Sequence, residues 1–201
     1  MALPNLESVK IVVVGLGYVG LPLATCLSDH FDIVGFDVDV LRISQLQSGY
    51  DRTSEYTKAE MDTAELTLTS DPAQIRDADV YIVTVPTPVD ADNKPDLGAV
   101  LSASEVVGSR LKKNAIVVFE STVYPGVTET ICGPALEQAS GLISGKDFYL
   151  GYSPERINPG DKVHTVDKIT KVVAGQTPKV AAFLMGLYGK LTNGNVFLAK
   201  D

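Results

Sequence analysis

A glycine-rich run follows the first apolar segment of the chain, and its spacing suits phosphate binding. Residues 11–14 (IVVV) are all apolar, and the run GLGYVG comes directly after them. Gly15 permits a tight turn after a strand, Gly17 lets a diphosphate approach the backbone, and Gly20 lets the next helix pack closely. The N–H groups and the dipole at the start of that helix then face the anion. We therefore predict a dinucleotide site, whose phosphate-binding residues are Gly15, Gly17, Tyr18, Val19 and Gly20.

A carboxylate closes the second apolar run and selects among dinucleotides. Asp37 follows residues 31–36, where it can accept both hydrogen bonds from an adenosine ribose and would repel a 2′-phosphate. The pattern therefore predicts NAD rather than NADP; the alternative is a tight strand-to-helix turn with a solvated aspartate. Arg42 lies on the next predicted helix, where its guanidinium either reaches the adenosine side of the cofactor or is simply solvated.

Residues 79–85 form a third apolar run, which ends in Pro86-Thr87-Pro88. In an open parallel sheet the ligand lies beyond the carboxyl ends of the strands, so Val85 and Thr87 should line the cofactor cleft. The Thr87 hydroxyl can hydrogen-bond the cofactor. The alternative is that the two prolines merely stiffen a connection.

A fourth apolar run, residues 115–119, is followed by Glu120-Ser121-Thr122. Two hydroxyls therefore reach the same sheet edge, and Thr122 is a candidate for the chemistry. The alternative is that Thr122 caps a helix over residues 127–139, which must tolerate Pro134 with a kink.

The run SPERINPGD, residues 153–161, follows another predicted strand, and its prolines and glycine restrict the backbone. On such a loop Glu155 can serve as acid or base, and Arg156 can bind an anion. The alternative is a salt-bridged surface turn. His164 receives no role, because a lone histidine is more often structural or solvated. We assign no residue to a metal site.

Strands alternate with helices along the chain, which predicts the elements that position these groups. A helix over residues 38–49 should bury Leu41, Ile43 and Leu46, and the polar segment 50–65 should be a surface excursion with a short helix capped by Thr57. The alternation predicts the α/β class: a Rossmann-like, doubly wound, mainly parallel sheet with helices on both faces and extra C-terminal strands.

Composition limits the partners. The 201 residues suit one large domain and are 45% hydrophobic, with a net charge of −8 and a pI near 4.7. This acidity argues against nucleic-acid binding, which needs many lysine and arginine contacts. Two cysteines cannot form a disulfide framework, and no apolar run suits a signal peptide or a membrane span. We therefore expect a cytoplasmic protein with no membrane partner.

Several motifs, taken together, identify a family. The segments GLGYVGLPLA, GFDVDVLRISQLQSG followed by YDRTSE, VPTP, ESTVYPG and SPERINPGDKVHT occur in this order. The chain resembles the N-terminal domain of the UDP-glucose/GDP-mannose dehydrogenase family. The SPERINPGD loop is most similar to the branch that acts on UDP-N-acetylhexosamines. The resemblance implies a two-step oxidation of sugar C6 to a carboxylate, for polysaccharide biosynthesis, with two NAD molecules and a cysteine thioester between the steps.

The resemblance also implies roles for individual residues. The glycine-rich run would hold the diphosphate, Asp37 and Arg42 the adenosine end, and Thr87, Ser121 and Thr122 the nicotinamide side. Thr122 would also help to position the reacting water, and Glu155 would act as acid or base in thioester hydrolysis. The UDP-sugar would be contacted by Glu155, Arg156, Ile157, Asn158 and Gly160.

The chain departs from the family pattern in what it lacks. The catalytic lysine, asparagine and cysteine of the family lie further along, in a linking helix and a second domain, and neither Cys26 nor Cys132 matches the motif of the nucleophile. We therefore expect residues 1–201 to be the NAD-binding domain of a longer, homo-oligomeric enzyme, unable to complete the oxidation alone. The alternatives are another two-domain dehydrogenase, of the hydroxyacid or 6-phosphogluconate kind, and a non-catalytic NAD-sensing module.

Overall fold

The computed structural model describes residues 3–89, 91–156, 158, 160–161 and 165–199, and in these residues eight strands form one sheet. The strands are β1 (Lys10–Val14), β2 (Asp32–Phe36), β3 (Thr67–Thr69), β4 (Val80–Val83), β5 (Ile116–Phe119), β6 (Tyr149–Tyr152), β7 (Lys171–Gly175) and β8 (Val196–Leu198). Their order is β3-β2-β1-β4-β5-β6-β7-β8, and every neighbouring pair is parallel except β6 and β7. The predicted mainly parallel sheet with extra C-terminal strands is confirmed.

Six α-helices connect the described strands: α1 (Gly20–Ser28), α2 (Val40–Gln47), α3 (Lys58–Thr63), α4 (Gly98–Gly108), α5 (Gly133–Ser140) and α6 (Pro178–Leu191). A 3-10 turn, Leu6–Ser8, precedes β1, and a π-helical segment, Thr128–Cys132, leads into α5. Thr57 caps α3 as predicted, in a reciprocal pair of hydrogen bonds with Glu60. Within the described residues, none of the helices is long and apolar enough to cross a membrane.

Pro134 is accommodated by a change of helix type. The predicted helix over residues 127–139 is π-helical up to Cys132 and α-helical from Gly133, which places Pro134 in the first turn of α5. Pro134 thus lies where the helical hydrogen-bond pattern changes from π to α, so a ring that cannot donate an N–H is placed at a break in the regular α-helical ladder.

The core lies on both faces of the sheet, because successive strand residues point in opposite directions. On one face, Ile11 and Val13 belong to a cluster with buried residues of α1 and α6; on the other, Val12 and Val14 pack with buried residues of α4 and α5. Because helices cover both faces of the sheet, the strands are continuous apolar runs in the sequence. The doubly wound arrangement is thereby confirmed.

One core residue was predicted wrongly. Ile43 and Leu46 of α2 are buried, but Leu41 is 62% exposed. Leu41 precedes Ile43 by two positions, which is about 200° around a helix, so the two side chains lie on opposite sides.

Both cysteines are free thiols. Burial raises the pKa of the Cys132 thiol to about 11. Burial also raises the pKa of Cys26, whose Sγ lies 3.8 Å from the Tyr56 hydroxyl. Because the thiolate is the nucleophilic form, both cysteines behave as small apolar residues at neutral pH.

Candidate functional site

A cleft of about 760 Å³ lies at the carboxyl ends of β1, β2, β4 and β5. The chain leaves β1 towards β2 on one side and returns to β4 on the other, so the cleft lies where the strand order reverses. The structure brings most of the predicted site residues together here. Those lining the cleft are Gly15, Gly17, Tyr18, Val19, Asp37, Arg42, Val85, Thr87, Ser121, Thr122 and Glu155.

The turn after β1 is held in shape by hydrogen bonds and by the absence of side chains. Gly15 has a φ of +92°, its N–H donates to the Phe36 carbonyl at 2.8 Å, and its carbonyl accepts from Thr84 Oγ1 at 2.7 Å. A Cβ on Gly20 would overlap the Gly15 carbonyl oxygen. Gly20 therefore acts beneath the turn, as the residue that lets α1 pack against it.

The start of α1 is open to an anion. Asp39, Thr57 and Thr177 cap α2, α3 and α6 with their side chains, whereas the described residues before α1, α4 and α5 make no side-chain cap hydrogen bond; before α1 this residue is Val19. A Cβ on Gly17 would meet no protein atom within 4 Å. The start of α1 thus borders open space in the cleft, an arrangement that suits a diphosphate.

Asp37, which follows β2, lines the cleft and is fixed there by two hydrogen bonds. Its Oδ2 accepts from the Leu16 N–H at 2.8 Å, and its Oδ1 accepts from the Asp39 N–H at 2.9 Å. Each carboxylate oxygen can accept more than one hydrogen bond, so capacity remains for ribose hydroxyls.

Arg42 is buried, so the interpretation of a solvated helix arginine is wrong. Its side chain is 1% exposed; its Nε donates to the Leu16 carbonyl at 2.8 Å, and its Nη1 lies 2.8 Å from Asp51 Oδ1. The guanidinium thus ties the glycine-rich turn to the segment after α2. Direct contact of Arg42 with a cofactor stays a prediction.

Asp51 was missed, because it lies in a segment predicted to be a surface excursion. Its side chain is 0% exposed, and it accepts hydrogen bonds from Thr53, from the N–H groups of Glu55 and Tyr56, and from Arg42. Burial alone would raise the pKa of Asp51, but the hydrogen bonds, first those from Thr53 and then that from Arg42, outweigh it and hold the pKa below its usual value.

Asp51 should make the stability of the protein sensitive to acid. Because its pKa is depressed in the folded state, its contribution is present above the unfolded value of about 3.9 and is lost as the pH falls through the folded value. The difference in free energy of unfolding between the wild type and Asp51→Asn should therefore be largest at neutral pH and shrink below about pH 4. Urea unfolding at a series of pH values measures it.

Asp62→Asn is the matched control, since Asp62 forms a solvent-exposed pair with Lys58. Its unfolding free energy should follow that of the wild type at every pH. If the loss of unfolding free energy in Asp51→Asn stayed constant down to pH 3, it would contradict the lowered pKa of Asp51 in the folded state.

Two further residues of this segment line the cleft and were also missed. They are Arg52, whose Nη1 contacts Asp39 Oδ2 at 2.8 Å, and Thr53. Thr53 follows Asp51 at the spacing of an Asx turn, which was the local signal available in the sequence.

At the opposite end of the cleft, hydroxyls join the ends of β4 and β5. Ser121 Oγ donates to the Val85 carbonyl, and Thr87 Oγ1 donates to the Thr122 carbonyl, both at 2.6 Å. The Thr87 proton is thus engaged, although its oxygen can still accept. The π-helical segment after Thr122 has no side-chain cap, so the interpretation of Thr122 as a helix cap is wrong.

The SPERINPGD loop enters the cleft through Glu155. The Glu155 N–H donates to the Glu120 carbonyl at 3.2 Å, and the Arg156 guanidinium donates to the Thr170 carbonyl at 3.2 Å. Of the predicted substrate residues that the structure describes, Arg156, Asn158 and Gly160 do not line the cleft; Ile157 lies outside the described residues. Their contact with a substrate stays a prediction.

Comparison with known proteins shows which dinucleotide-binding family has this site. The sequence model of the UDP-glucose/GDP-mannose dehydrogenase family, NAD binding domain, matches residues 9–192. The chain belongs to this family. A UDP-N-acetyl-D-glucosamine 6-dehydrogenase of Pseudomonas aeruginosa is 49% identical over 197 residues, which cover 98% of this chain and 47% of the relative. Protein CapL of Staphylococcus aureus is 50% identical over 192 residues, which cover 96% and 45%.

A solved structure of a related dehydrogenase has the same fold. The UDP-D-ManNAc dehydrogenase of Pyrococcus horikoshii superposes with a TM-score of 0.86 at 31% identity, covering 94% of this chain and 46% of that one. Membership of the UDP-glucose/GDP-mannose dehydrogenase family confirms NAD as the cofactor of this domain and removes the hydroxyacid and 6-phosphogluconate alternatives. The chain spans about half the length of the curated relatives it matches.

A cluster of charged and polar groups that sequence reasoning missed lies beside the cleft, which Glu120 also lines. Lys171 Nζ contacts Glu120 Oε2 at 2.6 Å, and the Tyr188 hydroxyl donates to Glu120 Oε1 at 2.6 Å; all three residues are 0% exposed. Burial, and then the Glu120 carboxylate, raise the pKa of Tyr188 well above its usual value, so the phenol stays a neutral donor. The only local signal was polar residues inside otherwise buried elements.

Proposed function

We propose that this chain is the NAD-binding portion of a nucleotide-sugar 6-dehydrogenase, which oxidises the C6 alcohol of a UDP-N-acetylhexosamine to a uronic acid for polysaccharide biosynthesis. The observation that supports the proposal is that Glu155, on the SPERINPGD loop, lines the same cleft as the glycine-rich turn. The relatives named above as acting on UDP-N-acetylated sugars support this substrate class.

The chain contributes binding and orientation at three points. The uncapped start of α1 receives the diphosphate, and Asp37 accepts hydrogen bonds from the adenosine ribose while opposing a 2′-phosphate. Ser121, Thr87 and Thr122 form the wall of the nicotinamide end. Bound NAD supplies the hydride acceptor for each oxidation.

Two residues serve the later, hydrolytic part of the reaction. Thr122, exposed at the end of β5, helps to position the attacking water, and the Glu155 carboxylate takes up its proton as general base. The loop backbone from Arg156 to Gly160 contacts the sugar nucleotide. Residues 1–201 form one domain of a longer chain, whose second domain brings the nucleophile and whose subunits form a homo-oligomer. Two free cysteines suit a reducing compartment, the cytoplasm.

Turnover assays test this function. The 201-residue chain should bind NAD but form no NADH with UDP-N-acetylglucosamine or UDP-N-acetylgalactosamine, whereas the natural chain extended by its second domain should form two NADH per sugar. NADH formation by the 201-residue chain would refute the proposal that the oxidation requires residues of a second domain. An extended chain that binds NAD and oxidises no UDP-hexose would favour an NAD-sensing module instead.

Asp37→Ala should weaken NAD binding by about 1–3 kcal/mol, the scale for losing hydrogen bonds to a charged acceptor. Titration calorimetry measures the affinity. Asp79→Ala is the matched control, because Asp79 likewise accepts from a backbone N–H, that of Lys10 at 2.9 Å, but at the opposite edge of the sheet. Equal affinities for the two variants would count against Asp37 as the ribose ligand.

A further inference from the structure

We propose that Glu120, Lys171 and Tyr188 form a positioning cluster, which holds the nicotinamide end of the cleft in its binding geometry. The proposal rests on the proposed function of that cleft. None of the three is argued to touch the substrate; they act through the backbone of the residues that do.

The cluster is connected to both walls of the nicotinamide end. Glu120 directly precedes Ser121 and Thr122, so fixing its carboxylate fixes the start of that segment. The Glu120 carbonyl accepts from the N–H of Glu155 at 3.2 Å, which joins the opposite loop to the same residue. The Glu120 side chain, held by its two buried partners, thus restrains both the Ser121-Thr122 segment and the loop that carries Glu155.

Lys171 adds a second connection to the loop. It follows Thr170, whose carbonyl accepts the guanidinium of Arg156 at 3.2 Å. Lys171 Nζ also lies 5.4 Å from the centroid of the Tyr188 ring, so the ammonium is enclosed by the carboxylate and the aromatic face. The loop is therefore tied to the cluster at Glu155 and again beside Lys171.

Stability alone does not account for these residue types. Removing an ion pair from water carries a large desolvation cost, and well-packed apolar side chains often stabilise a core equally well or better. What apolar side chains lack is direction: the two oxygens of Glu120 are each held by a separate donor at 2.6 Å, which defines one orientation of the strand end. A defined orientation matters most directly beside a binding site.

Tyr188→Phe tests the proposal, because it removes one donor and keeps the ring. Affinities are measured by calorimetry for NAD and for ADP-ribose, which lacks the nicotinamide. The variant should lose about 3- to 10-fold in NAD affinity, the size of one net hydrogen bond, while its ADP-ribose affinity stays within about twofold of the wild type. A general loss of packing would weaken both ligands alike.

Tyr81→Phe is the control. Tyr81 is equally buried, and its hydroxyl donates to the Ile75 carbonyl at 2.7 Å, remote from the cleft lining. It should lower the melting temperature without changing the ratio of the two affinities. If Tyr188→Phe does not fold, the double variant Glu120→Gln with Lys171→Met removes both charges together and should show the same selective loss for NAD.

The outcomes separate the two proposals. Wild-type protein that binds neither ligand refutes the proposed function and the cluster with it. Wild-type protein that binds both ligands equally, a Tyr188→Phe variant with an unchanged affinity ratio, or an equal change in Tyr81→Phe would each overturn the positioning role and leave the diphosphate site intact.

Discussion

Gly17→Ala is expected to abolish most NAD binding while leaving the fold intact. The added Cβ would meet no protein atom within 4 Å, and Gly17 does not have a left-handed φ, so the free energy of unfolding should change by no more than about 0.5 kcal/mol. The same Cβ projects into the cleft at the start of α1, where the diphosphate must approach the backbone. We expect affinity to fall by roughly 100-fold, about 2.7 kcal/mol.

Gly20→Ala separates this effect from damage to the turn. Its Cβ would overlap the Gly15 carbonyl oxygen and contact Thr84 Oγ1, so the turn itself must move. This variant should lose both stability and NAD affinity, as followed by thermal unfolding and calorimetry. If Gly17→Ala bound NAD as tightly as the wild type does, the diphosphate could not lie at this turn.

Lys171→Met should destabilise the protein by about 3–5 kcal/mol, because it leaves Glu120 buried without its cation. Urea unfolding measures the loss. Adding Glu120→Gln should recover much of it, since the two charges then disappear together. The coupling energy from this double-mutant cycle should far exceed the loss expected for a surface pair.

Lys112→Met provides the comparison. Lys112 Nζ contacts Asp79 Oδ1 at 2.7 Å, nearly the same distance, but its side chain is 37% exposed. Solvent screening should limit its loss to about 0–1 kcal/mol. Similar losses of unfolding free energy in the two lysine variants would contradict the interpretation of Lys171 and Glu120 as a buried pair in which each charge depends on the other.

Local spacing was sufficient to predict the tight turn after β1 and the carboxylate that lines the cleft after β2. Gly15, Gly17 and Gly20 are dictated by a turn, a ligand approach and a helix contact within six positions, and Asp37 follows at the end of the adjacent strand. Each of these requirements is met by neighbouring backbone, so a sequence pattern records it. The prediction of a doubly wound sheet was correct for the same reason.

Pairings between distant segments escaped prediction. Arg42 was predicted to be either a cofactor ligand or solvated, and the structure buries it against Asp51; Glu120 meets Lys171 and Tyr188 only after the strands β5 and β7 and the helix α6 have assembled. Charged residues are usually exposed, and only the identity of the partner reverses that expectation. A single sequence does not contain that identity.

The reversed direction of β7 decides which end of that strand reaches the cleft. In the parallel part of the sheet, only residues that leave a strand can arrive at this edge, but β7 runs the other way, with Tyr152 opposite Ala174, and so delivers its first residue there. Lys171, the first residue of β7, thereby contacts Glu120, the residue that follows β5. A slip of two residues in this register would put Val173 in place of Lys171 and replace a salt bridge by a methyl group facing a carboxylate. The direction and register of β7 therefore determine whether the buried ion pair between Lys171 and Glu120 can form beside the cleft.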